Sequence, residues 1–192
     1  MAAGRRQVIV LVGMGFGGWL ALNYSVAVPQ RVRKLVLLWP DGLLPTVRQF
    51  KVRGILMVVL TARWTVNAFF RRLGFTDRSY ANLRELVYLG LKDFRTPLRT
   101  ARIQPAVVSD EALRMMKVPT LLLIGEQEVT SNPAKALERA RHLMPAFEGE
   151  LVPECRHDMS SSRHEIVDAR VLTFLKKAPH EDHIPVAERS AA

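Results

Sequence analysis

The chain has 192 residues, 48% of them apolar and 24% charged, enough for one domain with a core of its own. Its single cysteine, Cys155, excludes an internal disulfide framework and points to a reducing, cytoplasmic setting. The formal charge of +10 comes mostly from arginines scattered along the chain, and aromatics make up only 7%. With no basic block and no base-stacking motif, this pattern argues against a nucleic-acid partner and reads as an arginine-rich surface open to an acidic lipid or an acidic partner.

In chain order, Val8–Val12 is a continuous apolar run and predicts a strand buried on both faces. A glycine-rich turn follows, then a helix from about Gly17 to Ala27, with Pro29 helping to end it. The first 28 residues also have the outline of a secretory leader: Arg5 and Arg6, an apolar centre from Val8 to Leu22, and the small residues Ser25-Val26-Ala27. The apolar run is too short for a membrane span, so no stable insertion is expected. Lys34–Trp39 predicts a second buried strand, closed by a Pro40-Asp41-Gly42 turn. Strand–helix–strand in this order implies a parallel pair with a right-handed crossover.

Residues 46–116 change character to helical stretches rich in Arg, Leu, Phe and Met. Ile55–Leu60 is uninterrupted apolar, Trp64, Val66, Phe69 and Phe70 continue it, and Arg53, Arg71 and Arg72 bracket it. This block reads either as a buried helix pair or as a lid over an apolar pocket. Strand character returns at Val118–Ile124. Asn132 and Pro133 start a helix that runs to about Met144, Glu150–Val152 forms a short strand, and a last helix spans about His164–Lys177. Val167, Val171, Phe174 and Leu175 share one face of that helix. From Ala178 the chain is polar and reads as a loose tail. The implied division is 1–45, 46–116, 117–177 and 178–192.

Two motifs compete for the glycine turn. Gly13-Met14-Gly15-Phe16-Gly17-Gly18 fits G-x-G-x-x-G, in which bare backbone lets a dinucleotide pyrophosphate approach a helix N-terminus. An NAD(P)-binding reading also wants an acidic residue just after the second strand, where Trp39 and Pro40 stand instead. Gly13-Met14-Gly15-Phe16-Gly17 equally fits G-x-S-x-G except at the serine.

The run VIVLVGMGFGGWLALNYSVAVPQRVRKLVLLWPDG resembles the nucleophile-elbow segment of the α/β-hydrolase superfamily, whose members commonly continue as P-x-R-V-x-x-L-V-L-L. VPTLLLIGEQEV (118–129) resembles the strand and loop that carry the triad acid, with Glu128 where Asp is usual. ELVPECRHDM (150–159) resembles the loop with the triad histidine, which maps to His157. The resemblance implies a partial α/β-hydrolase fold: a parallel sheet flanked by helices, with a helical cap insertion. It implies a relative of carboxylic-ester hydrolases with Gly15 at the nucleophile position, Glu128 and His157 as acid and base, and the Phe16 N–H as an oxyanion donor. Met14, Trp64, Phe69 and Phe70 are candidates for the pocket of a small apolar ester or acyl ligand. No cofactor or metal is implied.

A glycine at the apex preserves the turn while removing the attacking oxygen, so little serine-type hydrolysis is expected, and a non-catalytic binding module fits the same residues. Cys155 lies near His157 but has no base positioned to activate it. The family has four strands ahead of the elbow, which this sequence lacks. The expectation is one remaining oxyanion donor, and an apolar edge at Val8–Val12 through which chains self-associate.

Overall fold

The computed structural model describes residues 8–94 and 105–177. The basic start at Arg5 and Arg6, part of the cap block and the tail after 177 lie outside the described residues. Four strands form one all-parallel sheet in the order β1 (Ile9–Met14), β2 (Val32–Leu38), β3 (Thr120–Gly125), β4 (Phe147–Val152). Helix α1 (Gly15–Ala27) links the first two strands, and α6 (Pro133–Leu143) links the last two.

Alternation along the central strands sorts their side chains into two cores. On one face Leu35, Leu37, Leu122 and Ile124 pack with Ala21 and Leu22 of α1 and with Ala136, Leu137 and Ala140 of α6. On the other, Val36, Leu38, Leu121 and Leu123 meet Val167 and Phe174 of α8 (His164–Lys176), which follows the one-turn helix α7 (Met159–Ser162). β2 and β3 are covered on both faces, as their unbroken apolar runs predict. β1 is an edge strand, and the expectation of burial on both faces fails there: Val10, Val12 and Met14 are 44%, 57% and 51% exposed.

Lys34, in the middle of β2, is only 4% exposed. Its Nζ donates to the carbonyls of Phe174, Leu175 and Lys177 at 2.8, 2.9 and 2.6 Å, and lies 5.2 Å from the Phe174 ring. The ammonium thus supplies donors to the carbonyls that the end of α8 leaves without helical partners. Burial, offset in part by Glu148, holds its pKa below the ordinary lysine value.

The block after β2 folds as α2 (Arg48–Leu60), α3 (Arg63–Leu73) and α4 (Ala81–Asp93). It is no buried helix pair: α2 and α4 contain no buried residue. Ile55, Val59 and Trp64 are 61%, 71% and 63% exposed. A row of rings, Phe50–Phe69–Phe70–Phe75–Tyr80, holds the block together with centroid spacings of 5.0 to 6.2 Å. The short α5 (Asp110–Met115) belongs to the sheet layer instead, since Val108, Leu113 and Met116 enter the core beside α1. Among the described residues no helix is long and apolar enough to cross a membrane.

Candidate active site

β1 runs directly into α1, which starts at Gly15, two residues earlier than the sequence suggests. The change of direction is taken by Gly15 itself at φ +52, a left-handed conformation that costs glycine little and other residues about 1–2 kcal/mol. The bend is tied to the end of β2: the Asp41 N–H donates to the Gly15 carbonyl at 3.1 Å. Phe16 follows as the second residue of α1, where first-turn N–H groups have no intrahelical acceptor.

Glu128 and His157 come from the loops after β3 and β4, and the structure brings them together. His157 Nδ1 lies 2.9 Å from Glu128 Oε2. Glu128 Oε1 accepts from the N–H groups of Val129 and Thr130 at 2.7 and 2.8 Å, so its orientation is fixed from both ends. The histidine loop is anchored in turn by the His157 N–H, which donates to the Leu73 carbonyl at the end of α3 at 3.1 Å. The Glu128 side chain is 1% exposed and the His157 ring 19%. The imidazole therefore keeps part of its surface open to solvent.

Trp39 links this pair to the turn. Its ring lies 5.2 Å from that of His157, and its Nε1 would be 3.7 Å from a Cβ placed on Gly15. Apart from the adjoining residues and the backbone of α1, no other described atom comes within 4 Å of that Cβ position. Trp39 is 5% exposed and holds φ +37, unfavourable for a bulky residue, which marks a backbone over-determined by its surroundings. Neither Trp39 nor Asp41 was a site candidate from sequence; the only signal was the WPDG run closing β2.

Electrostatics separates the two carboxyls. Burial pushes the Glu128 carboxyl up, but the His157 hydrogen bond and charge, with the Thr130 and Val129 N–H groups, outweigh it and hold the group below the ordinary carboxylate value. Burial raises Asp41, and the nearby charge of Glu128 adds to this against an opposing contribution from His157. Ionised Glu128 fixes the Nδ1–H tautomer and leaves Nε2 free to take a proton. Burial and Asp158 push the Cys155 thiol up to about 11, so it stays protonated and is no nucleophile at neutral pH.

Opposite shifts imply opposite pH dependences. Glu128 favours folding when ionised; its contribution is complete above the unfolded-chain value of about 4.3 and is lost as pH falls through the lower folded-state value. Asp41 favours folding when protonated; its contribution is present below about 3.9 and is lost as pH rises through the higher folded-state value. At pH 7 Glu128→Gln is expected to lower the melting temperature and Asp41→Asn to raise it. Both differences from the parent shrink at pH 3.5. Thermal unfolding at the two pH values checks the signs, and a lower melting temperature for Asp41→Asn at pH 7 contradicts them.

Of the pocket candidates, Trp64 and Phe69 line a cavity of about 450 Å³ between α2, α3 and Arg156. Phe70 does not line it and packs edge-on against Phe69 and tilted against Phe75, and Met14 is exposed at the end of β1.

Comparison with known proteins identifies the family. A family model described as the alpha/beta hydrolase family matches residues 1–169. Two carboxylesterases of Bacillus subtilis (strain 168) are similar in sequence. The uncharacterized carboxylesterase nap is 29% identical over 85% of this chain and 55% of its own length, and carboxylesterase YbfK is 28% identical over 86% and 56%. The crystal structure of naproxen esterase (carboxylesterase NP) from Bacillus subtilis superposes with a TM-score of 0.78 at 30% identity, over 88% of this chain and 60% of that one. The chain thus spans little more than half the length of these relatives. A match over this much of the chain shows the family: the chain belongs to the alpha/beta hydrolase family.

Proposed function

We propose that the chain carries the acid–base pair of a carboxylic-ester hydrolase without its serine, and that it forms no acyl-enzyme. The observation that carries this is the 2.9 Å His157–Glu128 pair, joined through Trp39 to a left-handed Gly15 with no side chain. His157 Nε2 has a lone pair to accept a proton, and residue 15 has no hydroxyl to give one. Removing the nucleophile from such a unit costs on the order of 10⁶-fold in turnover, because base and acid act only through it. The Phe16 N–H remains a donor suited to a developing oxyanion. The similarity to carboxylesterases supports a small apolar ester or acyl compound as the ligand. The lone, buried Cys155 supports a cytoplasmic location.

The test is p-nitrophenyl butyrate hydrolysis together with a fluorophosphonate probe. The expected result is no covalent adduct and no turnover that depends on His157. A stable adduct would place a nucleophile elsewhere in the chain. A second reading, a non-catalytic module that holds an acyl ligand, is favoured by the open space beside Gly15. Under it, the same ester raises the melting temperature without being consumed.

A further inference from the structure

The cap cavity has a chemistry that the ester reading does not use. Its volume of about 450 Å³ suits a small organic molecule. Leu56, Trp64 and Phe69 form an apolar side, and Arg53, Arg71, Arg72 and Arg156 bring four guanidinium groups to the same concavity. No carboxylate lines it, and among the described residues none pairs with any of the four. Arg63, at the start of the same α3, shows the contrast: it faces away and is neutralised by Glu85 at 2.7 Å.

Helix polarity accounts for only part of this. Arg71 and Arg72 stand in the last turn of α3, where cations are favoured. Arg53 comes from α2, and Arg156 comes from the histidine loop, with Nη1 3.5 Å from the Arg71 carbonyl. Like charges gathered without a counter-charge repel, and a bound anion reverses the sign of that energy. Trp64, 63% exposed beside them, leaves most of its surface accessible.

We propose that this cavity binds an organic anion with an apolar body, a medium-chain or aryl carboxylate. The guanidinium groups hold the carboxylate, as their forked donors suit. The chain or ring of the ligand lies on Leu56, Trp64 and Phe69. None of Gly15, Glu128 or His157 lines the cavity, so binding here does not depend on hydrolysis.

The probe is monomeric decanoate, followed by calorimetry and tryptophan fluorescence on the full chain. Saturable binding is expected, with a fluorescence change that disappears in Trp64→Phe. Affinity should fall at least 10-fold for 1-decanol in place of decanoate, and at least 10-fold in the double variant Arg53→Gln/Arg72→Gln. Arg53→Lys/Arg72→Lys should keep part of it. Both arginines are exposed, and circular dichroism verifies that the variants fold. Equal affinity for decanol, or an unchanged double variant, overturns the proposal. So does sedimentation with phosphatidylglycerol vesicles in the absence of any response to free decanoate, which would assign the arginines to a lipid surface.

Discussion

Gly15→Ser is expected to make the chain react with a fluorophosphonate and to raise p-nitrophenyl butyrate turnover by at least ~10³-fold over the parent, a part of the ~10⁶ that a complete triad supplies. Sterically the change is permitted. Outside the adjoining residues and the backbone of α1, the new Cβ meets only Trp39 Nε1, at the ordinary contact distance of 3.7 Å. Energetically it has a cost, because φ +52 strains a residue that carries a side chain by about 1–2 kcal/mol. That corresponds to a fall in melting temperature of roughly 2–8 °C for a chain of this size. The variant should therefore be both less stable and more reactive, a combination that a general loosening of the fold does not produce. His157→Ala in the serine background should remove the gain. A folded, unlabelled Gly15→Ser would mean that the imidazole does not face residue 15, and the proposed function would fall with it.

The second large effect separates Gly13 from Gly17, which the G-x-S-x-G pattern treats alike. A Cβ on Gly13 would lie 2.6 Å from the Gly17 carbonyl oxygen and 2.7 Å from the Gly18 Cα, both rigid backbone. A Cβ on Gly18 would lie 2.8 Å from the Pro40 Cβ. At Gly17 it would meet nothing within 4 Å. Gly13→Val should thus cost 3 kcal/mol or more, about the upper end for overpacking, and show as loss of folded protein or a melting temperature lower by roughly 6–12 °C. Gly17→Ala should be neutral or stabilising by about 0.5–1 kcal/mol, since alanine is the better helix former. Parallel thermal melts decide it. If Gly13→Val melts like the parent, close packing of β1, α1 and the Pro40 turn is not what the glycines provide.

The strands were legible where burial and sequence carry the same signal. β2 and β3 are apolar on both faces and covered on both, so their runs located them. β4 runs from Phe147 to Val152, longer than the 150–152 suggested, because Glu148 and Glu150 disguise it. Those carboxylates point to Arg170, at 2.7 and 2.9 Å, and Glu148 also to Lys177, so they belong to an ion-pair network on the outer strand. The cap was legible as helices and not as a surface: Ile55–Leu60 has the composition of a core segment, and only packing tells where it lies. The pairing of Glu128 with His157 was legible through the order of three motifs. Trp39 and Asp41 were not, since their place follows from the way β2 ends beneath α1, a long-range fact with no local pattern.

Lys34 has one more consequence. Lysine reagents attack the neutral free amine, and every surface lysine offers one at some rate. The amine of Lys34 is enclosed by three carbonyls and an aromatic ring, and its acylation requires the end of α8 to lift off the sheet. It is therefore a built-in timer, whose labelling rate reads how often that layer of the protein opens.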